Sequence, residues 1–312
     1  MIWLLLFVLL ASCLTSAQVP QDREFKITTE VDLVLLDVSV KDPKGGYVVD
    51  LIKDNFHVYE NGALQKITEF VGSDVPVAVG LVMDNSGSMQ RKHASLIDAG
   101  LAFIGAGNPQ DQIFVISFDD RVQLGLPKSV PFTDNINLLR SALSKDMPQG
   151  RTALYDAVAV ALKHLETGQR GKKALVVVSD GGDNFSRRKF QDVMQLIQES
   201  PATIYTVGIY DRDDSDRNPH VLKRIARVSG GECCLPGEFQ KVIPIFTQVA
   251  RDIRRRYTIG YTPLRTSNQA ALHKIHVVAA APGHKTLSVR TRTSYMLPER
   301  MEPKSNTLES QK

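Results

Sequence analysis

The chain has 312 residues, 43% of them hydrophobic, which suffices for one domain of roughly 180 residues and a smaller companion. Its 38 Lys and Arg against 34 Asp and Glu leave a formal net charge of only +4 with both signs interspersed, which excludes the concentrated basic surface of a nucleic-acid-binding protein. With only 3 cysteines the chain cannot build the disulfide framework of a small secreted domain, so stability has to come from a buried core.

Residues 1–17, MIWLLLFVLLASCLTSA, form an apolar run of signal-peptide length that ends in small residues and is too short to span a bilayer as a mature helix. No Lys or Arg precedes the apolar core, and two processing schemes fit. Cleavage after Ala17 follows a small-residue rule with Thr15 and Ala17. Alternatively, Leu10-Ala11-Ser12-Cys13 matches a bacterial lipobox, in which Cys13 becomes the lipidated first residue. Either scheme predicts an exported protein that is periplasmic, secreted or envelope-anchored, with membrane contact only through a lipid on Cys13.

Residues 25–72 read as a β-meander: VDLVLLDVSV, a turn at Asp42-Pro43-Lys44-Gly45-Gly46, a run through FHVYENG, and KITEF. From Val75 the pattern changes to strands alternating with helical periodicity, the mark of an α/β fold with a mostly parallel sheet, predicted for residues 75–256. Five core strands are read here: VPVAVGLVMD ending at Asp84, DQIFVISFD at Asp119, KKALVVVSD at Asp180, ATIYTVGIY at Tyr210, and a weaker GECCLP. Near-continuous Val and Ile without alternation is what strands buried on both faces require. A short strand at Val122 to Leu126 is expected at an edge.

The clearest helix is expected from Thr152 to Glu166, with Leu154, Val158, Ala161, Leu162 and Leu165 on one face and a hydroxyl at its start. A last helix spans roughly Glu238 to Arg255, and the basic run Arg254-Arg255-Arg256 at its end suits the helix dipole. β-type sequence then returns over residues 257–297: RYTIGYTP, HKIHVVAAA, and KTLSVRTRTSYML after Pro282-Gly283, the last pair reading as a hairpin. Neither terminal β segment has enough strands to bury a two-sheet core alone, so the two are expected to pair into a small β-sandwich that flanks or surrounds the α/β domain. Residues 298–312 are polar and read as a disordered tail.

The strong strands end in acidic residues: Asp84, Asp119 with Asp120, Asp180, and Asp211 just past Tyr210. In open parallel sheets ligands bind outside the carboxyl ends of the strands, where the order of connection reverses. Convergent carboxylates repel one another, and a hard divalent cation relieves this by taking oxygen ligands. Asp84-Asn85-Ser86-Gly87-Ser88 offers a carboxylate and two hydroxyls at alternate positions. Thr152 adds a hydroxyl and Asp180 a second carboxylate. Asp119 and Asp183 are outer-sphere candidates, a solvated loop residue being the alternative for each. For the Asp84 loop the bland alternative is a polar turn that caps a helix; Thr152 and Asp180, on separate elements, weigh against it.

Asp84-x-Ser86-x-Ser88, Thr152 within GRTALYDA and Asp180 within VSDGGDN resemble, in order, spacing and context, the metal-ion-dependent adhesion site of von Willebrand factor A domains. The resemblance covers roughly Val75 to Arg256. With segments such as DNFHVYENG before and RRYTIGYTP after, the chain is also similar to bacterial proteins, common in acidobacterial genomes, in which such a domain is flanked by β segments. The resemblance implies a doubly wound, Rossmann-like sheet of six strands with one antiparallel edge. It also implies Mg2+, or Mn2+ or Ca2+ in its place, held directly by Ser86 and Ser88. Asp84, Thr152 and Asp180 would act directly or through water, and an acidic residue of a protein partner would complete the shell.

Three functions follow from these residues. The first is a non-enzymatic, metal-dependent protein-binding module. The second is an envelope structural or assembly factor whose metal merely stabilises the fold. The third is a metal-assisted hydrolase, against which stand the absence of an H-E-x-x-H or nucleophile-elbow motif and of a histidine partner for Ser86. The adjacent Cys233 and Cys234 read as small strand residues; a vicinal disulfide there would be strained. No histidine pair has metal-ligand spacing, and the sequon Asn184-Phe185-Ser186 is discounted in a chain that resembles bacterial proteins.

Overall fold

The computed structural model describes residues 33–210, 216–263, 271–284 and 286–297. The proposed leader at 1–17, the proposed tail at 298–312 and most of the acidic run at Asp211 lie outside these residues. The elements are, in chain order, β1 (Val34–Lys41), β2 (Phe56–Glu60), β3 (Ala63–Gln65), β4 (Glu69–Val71), β5 (Val77–Asp84), α1 (His93–Ala106), β6 (Gln112–Phe118), β7 (Val122–Leu124), α2 (Ile136–Leu143), α3 (Leu154–Glu166), β8 (Lys172–Ser179), α4 (Phe190–Glu199), β9 (Thr203–Gly208), α5 (Pro219–Ser229), β10 (Cys233–Cys234), α6 (Val242–Arg254), β11 (Tyr257–Tyr261), β12 (Ala271–Ala279), β13 (Ser288–Arg290) and β14 (Ser294–Leu297). Among the described residues no helix is long and apolar enough to cross a membrane.

The central sheet has six strands in the order β10-β9-β8-β5-β6-β7, parallel throughout except for β7, which runs antiparallel to β6 at the edge. Every residue of β5 is buried, which is why its sequence shows no alternation. The connection from β5 to β6 moves one way across the sheet, whereas those from β6 back past β5 to β8 and on to β9 move the other way. With right-handed crossovers, this reversal puts α1 on one face and α3 and α4 on the other. Accordingly α1 packs on α6, and α4 packs on both α3 and α5. The reversal falls between β5 and β8, which fixes where a ligand site belongs.

The terminal segments form two further sheets, β13-β1-β11-β4 and β14-β12-β2-β3, each mixing strands from before and after the α/β unit. Val34 to Val38 pair antiparallel with Tyr257 to Tyr261, and Phe56 to Glu60 with Ile275 to Ala279. Leu36, Val38, Val40, Val58, Tyr257, Ile259 and Tyr261 are the fully buried centre of a second core between these sheets. The alternate residues of β1 point away from that core, so Ser39 donates to Asp252 of α6 at 3.1 Å, and Asp37 accepts from Thr203 of β9 at 3.4 Å. One face of this sheet thus seals the sandwich core while the other abuts the α/β unit.

Two sequence expectations are corrected. Pro282-Gly283 does not close a hairpin: β13 pairs with β1 in the other sheet, and β12 takes β14 as its partner. The turn crosses between layers because β12 already has β2 on its remaining side. Helix α3 starts at Leu154, with Ala153 rather than Thr152 at its cap position. Cys233 and Cys234 are free thiols on β10, where successive side chains point to opposite faces, so pairing them would break the strand's hydrogen bonds to β9.

Inside the sandwich, Glu60 is buried and its Oε2 accepts from the hydroxyls of Tyr261 at 2.6 Å and Tyr295 at 3.0 Å, while Oε1 lies 2.6 Å from His273 Nδ1. Tyr261 belongs to one sheet and Glu60 to the other, so this carboxylate links the two. Tyr261→Phe is expected to lose about 1.5–3 kcal/mol, the range for a hydrogen bond to a charged group. Urea unfolding monitored by circular dichroism measures the loss, and an unchanged midpoint would show that the link carries no stability.

Candidate metal centre

Asp84 closes β5, and Asp180 directly follows β8, the adjacent strand across the switch point. Both side chains are buried, as are those of Ser86 and Thr152. Three loops meet here and are tied by their backbones. Gly87 N–H donates to the carbonyl of Gly150 at 3.3 Å, and Thr152 accepts at its carbonyl from Asn184 N–H and Phe185 N–H, each at 3.1 Å. Thr152 N–H in turn donates to Asn184 Oδ1 at 2.9 Å. The loop before Thr152 is thereby stitched both to the Asp84 loop and to the loop after Asp180.

The side chains converge in the same way. Ser86 Oγ lies 3.2 Å from Ser88 Oγ, and Ser88 donates to Asp180 Oδ2 at 3.1 Å. Asp84 is held through both oxygens, Oδ1 accepting from Ser86 N–H at 3.0 Å and Oδ2 from the Ser179 hydroxyl at 2.6 Å. Asp180 Oδ1 accepts from Gly182 N–H at 2.8 Å. Burial pushes the Asp84 carboxyl up to about 7, and the nearby Asp180 charge adds to the rise. A neighbouring carboxylate disfavours the ionised form of a carboxyl group, whereas a bound cation favours it.

This donor set fits a hard divalent cation. Neighbouring ligands on a magnesium octahedron with bonds of ~2.1 Å stand roughly 3 Å apart, which matches the Ser86–Ser88 and Ser88–Asp180 separations. Among the described residues no three His, Cys, Asp or Glu side chains gather into a metal cage, so a site here depends on hydroxyls. Ser86, Ser88 and Asp180 are placed to hold an ion directly. Asp84, with both oxygens already occupied, is placed to orient Ser86 and to act through water. Thr152 sits in the wall, its backbone fixed by Asn184.

The outer-sphere candidates separate on inspection. Asp183 Oδ2 accepts from Tyr155 N–H at 2.9 Å and from the Ser186 hydroxyl at 2.6 Å, which makes it the acceptor at the N-terminus of α3 that Ala153 cannot be. Asp119 is buried, with Oδ1 accepting from Arg121 N–H at 2.7 Å and its carbonyl from Ala153 N–H at 2.8 Å. It supports the approach to Thr152 through its backbone. Burial raises its pKa, the adjacent Asp120 contributing.

Sequence reasoning missed Ser179 and Asn184, which orient Asp84 and Thr152. A lone serine in an otherwise apolar buried strand was the available signal for Ser179. Arg256, expected with Arg254 and Arg255 to serve the dipole at the end of the last helix, lies beyond α6, is fully buried and donates to the carbonyls of Gly230 and Arg290. Arg254 instead forms a two-point ion pair with Asp74 at 2.7 and 2.8 Å.

The family model described as von Willebrand factor type A domain matches residues 79–182, a span that includes Asp84, Ser86, Ser88, Thr152 and Asp180. A comparison with curated proteins finds no match. Among solved structures, a von Willebrand factor type A protein from Catenulispora acidiphila is 14% identical with a TM-score of 0.52, over 84% of this chain and 74% of that one. Proximal thread matrix protein 1 from the mussel byssus is 16% identical with a TM-score of 0.51, over 62% of this chain and 51% of that one. The von Willebrand factor domain of a type V pili tip protein from Porphyromonas gingivalis is 16% identical with a TM-score of 0.49, over 58% of this chain and 95% of that one. At these identities the likeness to the first two is one of fold.

Proposed function

Because the α/β unit is a von Willebrand factor type A domain, we propose that the chain is a non-enzymatic, metal-ion-dependent protein-binding module of the adhesion type, exported to the cell envelope by its leader. The observation that supports this best is the continuous run of oxygens from Ser86 Oγ to Ser88 Oγ at 3.2 Å and on to Asp180 Oδ2 at 3.1 Å, placed at the switch point of the sheet. Ser86, Ser88 and Asp180 would hold the ion, magnesium first and manganese or calcium in its place, with Asp84 and Thr152 completing the site. A bound cation supplies a Lewis-acidic point for a carboxylate of a protein partner. The chain's own contribution is to keep protein carboxylates few: two hydroxyls stand where acidic cages place Asp or Glu, so an ion held here retains affinity for an incoming acid.

Titration of Mg2+ by calorimetry tests the metal half. Asp84→Ala is expected to weaken Mg2+ binding by about 10–100-fold, the usual effect of removing a partner that orients metal ligands, while the far-ultraviolet circular dichroism spectrum stays unchanged. Mg2+ affinity equal to wild type would overturn the metal reading. Capture of envelope proteins by wild type but not Asp84→Ala, reversed by chelator, tests the binding half. Capture that ignores chelator would overturn it.

A further inference from the structure

The loops that build the metal centre also carry three side chains outward. The loop between α2 and α3 is clamped onto the Asp84 loop by its backbone, Asn85 Nδ2 donating to the Asp146 carbonyl at 3.1 Å and Gln149 N–H to the Asn85 carbonyl at 2.9 Å. Between those two anchor points Met147 is 70% exposed. On the same loop Arg151 immediately precedes Thr152. Its guanidinium carbon sits 3.9 Å from the ring centroid of Phe185, which is itself 38% exposed and bonded through its N–H to Thr152. Scattered exposed apolar residues need no explanation, but Met147 and Phe185 are held on two tethered loops that both touch the metal-site residues. Met, Phe and Arg are the types enriched where proteins bind one another.

Arg151 adds charge of a definite kind. Stacking on Phe185 holds the guanidinium plane, and its edge N–H groups are those that take a carboxylate in a two-point fork. Among the described residues Arg151 has no ion-pair partner, whereas Arg188 is paired with Asp156 at 3.0 Å. The local ordering is already present before any partner arrives, so little conformational entropy remains to be lost there.

We propose that Arg151, Phe185 and Met147 form a specificity rim beside the ion. The rim selects a partner segment in which the metal-bound acidic residue is accompanied by an apolar side chain and a second carboxylate, the last held by Arg151. The proposal rests on the metal-dependent binding reading above and adds the chemistry of the partner to it.

The test uses biotinylated peptides in a Gly-Ser background that all carry one Leu, flanked by one Glu and one Gln, by two Glu, or, as the baseline, by two Gln, displayed at high density on a sensor surface with Mg2+ present. Wild type is expected to be retained on the doubly acidic peptide more strongly than on the single-Glu peptide. Arg151→Ala is expected to lose about fivefold on the former and to match wild type on the latter, with Mg2+ affinity by calorimetry unchanged. Arg151→Glu is expected to prefer the single-Glu peptide. Equal retention of the two acidic peptides by wild type, or discrimination that survives Arg151→Ala, would overturn the rim while leaving chelator-sensitive binding in place. Loss of Mg2+ dependence for all peptides would overturn the metal reading and the rim with it.

Discussion

Asp252→Ala is expected to cost about 3–5 kcal/mol, the usual penalty for removing one partner of a buried ion cluster. Asp252 lies on α6 and is 2% exposed. Its Oδ1 accepts from Ser39 of β1 at 3.1 Å; its Oδ2 accepts from Arg290 of β13 at 2.6 Å and from the hydroxyl of Tyr205 on β9. Arg290 also pairs with Glu232, and the buried Arg256 acts on Asp252 through its charge. One carboxylate therefore connects α6, the central sheet and the inner sheet of the sandwich. Removing it leaves the fully buried Arg256 without its counter-ion and the part-buried Arg290 with Glu232 alone. Urea unfolding measures the effect, and Ser39→Ala, which removes one neutral donor, is expected to cost only about 1 kcal/mol. A loss for Asp252→Ala no larger than that of Ser39→Ala would show that the cluster does not join the layers.

The same carboxylate sets an acid limit. Burial works to raise the pKa of Asp252, but Arg256 and Arg290 outweigh it and leave the folded value below the usual carboxylate range. A depressed carboxylate stabilises the fold above its unfolded pKa of about 4 and loses that contribution as pH falls through the lower folded value. Wild type is expected to lose stability as pH falls below about 4, and Asp252→Ala to show a shallower decline over that window.

Gly181→Ala is expected to damage both the fold and the candidate metal centre. Gly181 has φ of 86°, in the left-handed region that costs an L-residue about 1–2 kcal/mol, and an added Cβ would stand 2.3 Å from the Asn218 carbonyl oxygen. That oxygen belongs to the start of α5, where Asn218 caps the helix, so it cannot give way without moving the helix. Overpacking adds about 1–3 kcal/mol. Gly181 N–H also donates to the Ser179 hydroxyl at 3.0 Å, and that hydroxyl in turn holds Asp84 at 2.6 Å. Thermal unfolding is expected to show a lower midpoint, and calorimetry a weaker Mg2+ affinity. A variant with wild-type values of both would mean that the loop after Asp180 is free to shift.

The local sequence determined the α/β unit and the residue types of its site. Two-sided burial makes a strand uniformly apolar, so β5, β6, β8 and β9 announce themselves, and β5, β6 and β8 each end in or beside an acid. Asp84, Ser86, Ser88, Thr152 and Asp180 could be singled out because their spacing and context are local properties of three loops, and the structure brings those loops together. What only the tertiary structure decided is what depends on distant partners. The crossing of β13 to the other sheet followed from which edge of β12 was already taken by β2. Ser179, Asp183 and Asn184 acquired their roles from hydrogen bonds to other loops. The arginines at the end of α6 took opposite fates, Arg254 at the surface with Asp74 and Arg256 in the interior, because the sandwich packs on the α/β unit only once its two halves, from opposite ends of the chain, have paired. Burial of a charge is settled by that closure, and no pattern within the segment itself records it.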